Sequence, residues 1–137
     1  MIHIVILILK YSMLIESRYY RHHHVCGGTA HAFNGSLQQA EQYIELCFKL
    51  GFGGMLTYER SSKLRKLATE LSLESIVLET DAPDMTVFQH QYQRNSPVYL
   101  PYCLQALAEV RNEAPEVIAA QTTKNAMSVF KLDKYRP

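Results

Sequence analysis

One stretch, Ser75–Pro83, limits what this chain can fold into more than any other. Ile76, Val77 and Leu78 follow one another there without an intervening polar residue. Such a run is typical of a strand that is buried on both faces, as in parallel α/β sheets. Pro83 has no N–H to donate to a sheet ladder, so the strand is expected to end before it. The stretch therefore predicts an α/β fold with a parallel sheet.

Two acids follow this apolar run, Glu79 and Asp81. They lie at the carboxyl end of the predicted strand, which is the edge where α/β folds place their chemistry. A carboxylate at the mouth of a buried strand is costly unless it binds a cation or accepts several hydrogen bonds. Period-two alternation puts Glu79 and Asp81 on one face, so the two acids could be coupled, or Glu79 could pair with a nearby base.

The rest of the chain alternates apolar strands with amphipathic helices. We predict further strands at Ile2–Leu9, Thr29–Phe33 and Phe52–Thr57, and a weak helix at Tyr11–Tyr20. Because strands alternate with helices, the pairing should be parallel with right-handed crossovers.

Four stronger helices are predicted between or after these strands. The first opens at a capping box, Ser36 with Gln39, and ends at Gly51 as a left-handed terminator. The second is capped by Ser61 or Ser62, and the third spans Pro101–Val110. The second should bury Leu64, Leu67, Ala68 and Leu71 and expose Lys63, Arg65, Lys66 and Glu70. The last begins near Pro115 and should bury Val117, Ile118, Ala126 and Phe130.

Length and composition exclude several classes of protein. A chain of 137 residues is enough for one domain, and a net charge of +1 gives no basic field for bulk nucleic-acid binding. The cysteines are odd in number and lack CxxC spacing, which favours reduced thiols in the cytoplasm. Ile2–Leu9 is far too short to span a bilayer, so no membrane association is expected; a buried strand is favoured over a short signal-like segment.

Two polar residues end apolar strands and should share one rim of the sheet, His31 and Asp81. An imidazole and a carboxylate suit Zn²⁺, Mn²⁺ or Mg²⁺, and Asp81 could act as ligand, as general base, or as both. The alternative is that both residues only cap local backbone. Arg60 and Arg94 lie on loops where they could hold a phosphate or form surface ion pairs. Three adjacent histidines, His22–His24, could hold a metal, although a solvated turn is favoured.

Four motifs occur in order: Thr29–Ser36, Leu50–Arg60, Leu78–Met85 and Arg94–Pro97. Together they resemble the TatD-related deoxyribonucleases, and most of all the YjjV-like branch of that family. The closing segment Thr122–Phe130 is similar to the last helix of the family. The resemblance covers about residues 27–130.

The resemblance implies a metal-dependent phosphodiesterase on a TIM-barrel scaffold of the amidohydrolase superfamily. His31 would match a metal ligand at the end of strand six, and Asp81 the strand-eight aspartate that binds metal and orients or deprotonates the attacking water. One or two divalent ions and a DNA substrate are implied. We also assign Asn34, Arg60 and Arg94 to substrate binding.

The chain also departs from the family pattern. A complete barrel needs about 200 residues or more, and the His-x-His strand and the strand-four glutamate of the family have no counterpart here. We therefore expect the C-terminal half of a barrel, about strands five to eight. The single partial domain of residues 1–137 would comprise a divergent segment at 1–26, a family-like region at 27–130 and a tail at 131–137.

A half barrel exposes sheet edges, so self-association is expected. With two of the family's ligands, the chain alone should be weakly active or inactive. Two other functions stay open: a non-catalytic α/β remnant that acts through oligomerisation or a partner chain, and a hydrolase of another ester or amide.

Overall fold

The computed structural model describes residues 27–132, in which three parallel strands alternate with helices. The sheet order is β1-β2-β3, and β2 pairs with both neighbours in parallel. The predicted strand at Ile2–Leu9, the helix at Tyr11–Tyr20, the histidine run and residues 133–137 lie outside the described part. The elements are β1 (Gly28–Ala30), α1 (Leu37–Glu45), β2 (Phe48–Phe52), α2 (Ser62–Glu70), β3 (Ile76–Leu78), α3 (Leu100–Val110) and α4 (Pro115–Val129).

Strand β3 is the buried strand that the apolar run predicts. Ile76 and Val77 are fully buried and Leu78 nearly so. Ile76 and Leu78 join the hydrophobic core that lies between the sheet and the helices. Val77 alternates to the other face, which it shares with Glu79. The strand ends before the acids, so both acids lie on the segment that leaves the sheet.

Strand β2 corrects the predicted boundary between the first helix and the second strand. Helix α1 ends at Glu45, and Cys47 rather than Gly51 takes the left-handed conformation, with φ of 63°. Phe48–Phe52 is the strand, whereas Gly54–Thr57, predicted as strand, is a 3₁₀ helix. Two features favour a strand at this position. Every second residue, from Phe48 to Phe52, is large, apolar and buried. The backbone N–H and C=O groups of β2 can also form hydrogen bonds with β1 on one side and β3 on the other. Strand β1 is also shorter than the predicted Thr29–Phe33.

The starts of helices α1 and α2 follow the sequence only in part. Ser36 Oγ accepts from Gln39 N (3.2 Å) while Gln39 Oε1 accepts from Ser36 N (2.8 Å), which confirms the capping box. Ser61 occupies the N-cap position of α2 without a side-chain cap bond. The four apolar residues of α2 are buried as predicted. Arg65 does not face out as predicted: helix α2 contacts the 3₁₀ helix Gly54–Thr57, and Arg65 Nη1 donates to Leu56 O (3.0 Å).

Helix α4 buries a different face from the predicted one. Ile118 and Ala126 are buried, but Val117 is 53% and Phe130 44% exposed. The buried stripe is completed by two polar residues, Thr122 and Asn125. Asn125 Nδ2 donates to Leu73 O (2.8 Å) and to Ile76 O (2.7 Å), so this side chain joins α4 to the start of β3. An apolarity pattern could not reveal that face because its central residue is an amide.

Among residues 27–132, no helix combines the length and the apolar character needed to cross a bilayer.

Candidate metal and catalytic site

The carboxyl ends of β1 and β3 bring three titratable side chains together. His31 follows β1 directly, and Glu79 and Asp81 follow β3. His31 Nε2 lies 3.2 Å from Asp81 Oδ1, and His31 Nδ1 lies 2.8 Å from Glu79 Oε1. Parallel strands end on the same rim, which is why residues fifty positions apart meet here. The imidazole is thus held between two carboxylates.

Glu79 is the most buried member of this group, with 1% of its surface exposed. Its Oε1 accepts from Ala32 N (2.5 Å), while Oε2 has no hydrogen-bond partner among residues 27–132. Burial raises the pKa of this carboxyl, and the Ala32 amide and the His31 ring oppose that shift. A buried carboxylate with one unpaired oxygen is costly, so its place beside His31 calls for a reason other than stability.

Gly51 on β2 makes room for that carboxylate. A Cβ atom added to Gly51 would overlap both carboxylate oxygens of Glu79. The absence of a side chain at this strand position is therefore what lets Glu79 reach His31.

His31 itself is partly accessible, with 20% of its side chain exposed. Burial is the largest single influence on its pKa and lowers it, but the attraction of the Glu79 and Asp81 carboxylates and their close polar contacts with the ring together outweigh burial. The net effect is a raised pKa for His31. Nδ1 approaches Glu79 without the alignment of a regular hydrogen bond, so we describe that contact as an ion pair.

His31 Nε2 and an Asp81 oxygen are the donor pair that suits a divalent ion. Asp81 is 18% exposed at its side chain, so both donors are accessible to solvent. Within the described range, however, no cluster of three or more His, Cys, Asp or Glu is arranged to hold a metal ion. The pair fits part of a coordination sphere and leaves the remaining positions to other ligands.

The three side chains open into a cavity of about 370 Å³. Asn34 and Arg60, both assigned to substrate binding from sequence, line this cavity. Arg94 is exposed and is not among the lining residues, so its assignment stays a prediction. The cavity adds Lys63, which the helical pattern had placed on a solvated face, and Gly51, which it had made a helix terminator. No sequence signal distinguishes Lys63 from the other cations of α2.

Cys103 on α3 is the last titratable group near Glu79. Burial raises the pKa of its thiol to about 12, and the Glu79 carboxylate adds to this effect. Cys47 is exposed.

We expect that one of these two thiols is labelled in the folded protein. In a Cys26→Ser variant at pH 8, iodoacetamide should modify Cys47 and leave Cys103 unmodified, because Cys47 is exposed whereas burial disfavours the Cys103 thiolate that the reaction needs. Peptide mass spectrometry with and without urea gives the measurement. Equal labelling of both cysteines without urea would show that α3 does not pack as described.

Comparisons with known proteins point to one protein family. A sequence model of the TatD related DNase family matches residues 2–131. An uncharacterized metal-dependent hydrolase of Haemophilus influenzae is 44% identical over 103 residues, which are 75% of this chain and 39% of that protein. The uncharacterized metal-dependent hydrolase YjjV of Escherichia coli is 43% identical and is covered to 40%. The chain thus spans about two-fifths of the length of these curated relatives.

Solved structures show the same relationship. The crystal structure of YjjV, a TatD homologue from Escherichia coli, superposes with a TM-score of 0.75 at 38% identity, over 82% of this chain and 44% of that one. A TatD family hydrolase from Entamoeba histolytica shares the fold alone, with a TM-score of 0.62 at 18% identity. These neighbours confirm the predicted fold class: parallel β/α units equivalent to part of a TIM barrel of the metal-dependent hydrolases.

Proposed function

The chain belongs to the TatD related DNase family, and we propose that it forms part of a metal-dependent hydrolase that cleaves phosphodiester bonds of DNA. The proposal rests above all on the His31–Asp81 pair, whose donor atoms lie 3.2 Å apart on the strand rim. Its relatives are named as metal-dependent hydrolases, which supports the reaction class. The DNA substrate is supported by the family description and by the cations of the adjoining cavity.

The residues of the site have distinct proposed roles. His31 Nε2 and Asp81 would hold the divalent ion, which when bound acidifies water and neutralises charge on a phosphoryl oxygen. Asp81 is the base that accepts the proton of the attacking water, since it is the more exposed of the two carboxylates. Arg60 and Lys63 line the same cavity and would attract a phosphate, and Asn34 would donate from its amide. Glu79 orients the imidazole through Nδ1.

We also propose that the chain alone hydrolyses DNA weakly or not at all. His31 and Asp81 are two donors, and a catalytic site in such enzymes normally offers at least three protein ligands. Further protein ligands of that kind would come from outside the described residues.

A chimaera tests the reaction separately from the incompleteness of the site. Residues 27–130 of this chain would replace the matching segment of YjjV, and Mn²⁺- or Mg²⁺-dependent cleavage of end-labelled DNA would be followed for YjjV, the chimaera and its Asp81→Ala variant. We expect cleavage by the first two proteins and a loss of at least 100-fold in the third.

The purified chain gives the matching measurement for its own activity. Robust Mg²⁺- or Mn²⁺-dependent cleavage by this chain, abolished by Asp81→Ala, would contradict the proposed incompleteness. Failure of both YjjV and the chimaera to cut DNA, with hydrolysis of another phosphoester or amide, would instead favour the wider hydrolase function.

A non-catalytic role is the second candidate, and the shortage of metal donors among residues 27–132 favours it. Mass by light scattering and metal content by elemental analysis distinguish the two functions. A monomer with stoichiometric metal supports the hydrolase, and a metal-free oligomer supports a structural role through exposed sheet edges.

A further inference from the structure

A second cavity, of about 450 Å³, lies beside the first and shares Arg60 with it. All its lining residues fall between Thr57 and Glu109, on the segments 57–60 and 88–91 and on helices α2 and α3. It is therefore formed entirely within the described sequence. Its distinguishing lining groups are three aromatic rings and three amides: Tyr58, Phe88, Tyr102, Gln89, Gln91 and Gln105.

Phe88 is a fixed but solvent-exposed ring in this cavity. Its N–H is donated to Thr57 Oγ1 (2.8 Å), and its ring meets that of Tyr58 edge to face at 5.7 Å. Tyr58 in turn donates its hydroxyl hydrogen to Thr86 O (3.2 Å). Even so, 52% of Phe88 is exposed. The hydrogen bond holds the Phe88 backbone in place, and the half-exposed ring offers apolar surface for stacking against a flat partner.

The charges of the lining indicate what that partner is. Arg65 and Glu109 form an ion pair (3.2 Å), and Arg60 and Glu59 bring one further charge of each sign, so the lining is formally neutral. A phosphate would gain little in such a cavity. A neutral planar group with polar edges would gain both the stacking surface and the glutamine amides, which can donate and accept.

Arg60 links this cavity to the proposed reaction site. Its guanidinium lies 5.1 Å from the centre of the Tyr58 ring, and it lines both cavities. A nucleotide has the matching arrangement, with a flat base on one side and an anionic phosphate on the other. Because Arg60 lines both cavities, a nucleotide could place its base in the second cavity and its phosphate at Arg60. The phosphate would then face the first cavity, which His31 and Asp81 line.

We propose that the second cavity binds a nucleobase of the substrate, stacked on Phe88 and read by the glutamine amides, while the neighbouring phosphate lies at Arg60. This inference rests on the proposed function, since it gives the DNA a place on the protein. It makes Phe88 a base-stacking residue in a cavity separate from the one that His31 and Asp81 line.

The test measures binding without catalysis, so it is independent of DNA hydrolysis. The full chain is titrated with dAMP and with deoxyribose 5-phosphate in EDTA, by ¹H–¹⁵N NMR or calorimetry. Stacking of a base contributes about 1–3 kcal/mol, so Phe88→Ala should weaken dAMP binding roughly 5- to 150-fold. The affinity for deoxyribose 5-phosphate should not change, and Phe88→Trp should retain dAMP binding.

Tyr92→Ala is the matched control, because Tyr92 is a fully exposed aromatic on the same loop that lines neither cavity. It should leave both affinities unchanged. Equal loss in Phe88→Ala and Tyr92→Ala, equal affinities for the two ligands, or no dAMP binding up to millimolar concentration would each overturn the base site. The two proposals can fail separately. If dAMP binding depends on Phe88 but the YjjV chimaera cuts no DNA, the proposed hydrolysis is contradicted and the base site is still supported.

Discussion

Gly51→Ala is expected to destabilise the protein and to weaken divalent-ion binding together. The new methyl group would overlap the carboxyl end of the buried Glu79 side chain, which would have to move out of its place beside His31. Overpacking of a core costs about 1–3 kcal/mol, and loss of a buried hydrogen bond adds about 1–2 kcal/mol. Unfolding in urea should therefore show a loss of roughly 2–5 kcal/mol.

The effect of Gly51→Ala on the metal comes through His31. When Glu79 is displaced, the Ala32 amide and the imidazole lose the carboxylate that they contact. Loss of such an orienting partner typically lowers metal affinity about 10- to 100-fold. Calorimetric titration of the folded variant with Mn²⁺ or Zn²⁺ measures this loss.

A double-mutant cycle separates this clash from a general intolerance of β2 to side chains. In a Glu79→Ala background there is space at Gly51, so the added methyl group should cost less than about 1 kcal/mol. Lys49→Ala, two residues earlier on the same strand, removes one exposed bond to Glu74 O and serves as the single-site control. Equal costs of Gly51→Ala in both backgrounds would mean that Glu79 does not occupy the space above this glycine.

Asn125→Asp should also cost stability, without touching the site. The amide donates to two buried carbonyl oxygens, those of Leu73 and Ile76, and aspartate keeps its shape but cannot donate when ionised. Leu73 O keeps the Ile76 N–H as a donor, so the cost is that of two lost hydrogen bonds of about 0.5–1.5 kcal/mol each, or roughly 1–3 kcal/mol. Urea unfolding followed by circular dichroism gives the value.

The control for Asn125→Asp lies next to it on the helix. Lys124 is exposed, and Lys124→Ala should change stability by less than about 0.5 kcal/mol. If Asn125→Asp were as mild as Lys124→Ala, helix α4 would not be fastened to the start of β3 by this side chain.

The limits of the sequence are clear at β2. Its residues fit equally well a helical stripe that continues to Leu50 and a strand with alternating apolar residues. A run this short does not distinguish the helical period of about 3.6 residues from the strand period of two. The strand forms because β1 and β3 both offer it backbone partners, and those partners are far away in sequence. The same ambiguity concealed the role of Gly51. That role depends on the carboxylate of Glu79, which follows the neighbouring strand β3.

Helix α4 and the second cavity show a related limit. Apolar periodicity identifies faces that bury hydrocarbon, so it favoured Val117 and Phe130 and passed over Asn125, whose burial depends on two carbonyls of another segment. Phe88 and Tyr58 belong to separate loops, and their juxtaposition has no counterpart in any local pattern.

The sequence by itself determined the parallel α/β class, the buried strand at Ile76–Leu78 and the presence of His31 and Asp81 on one rim. These follow from local rules, because an unalternating apolar run marks a strand buried on both faces and parallel strands end on the same side. Only the tertiary structure decided that the Glu79 carboxylate contacts His31 in the space that Gly51 leaves open, and that Arg60 lines two cavities. Those features are contacts between side chains distant in sequence, and such contacts are fixed by packing rather than by periodicity.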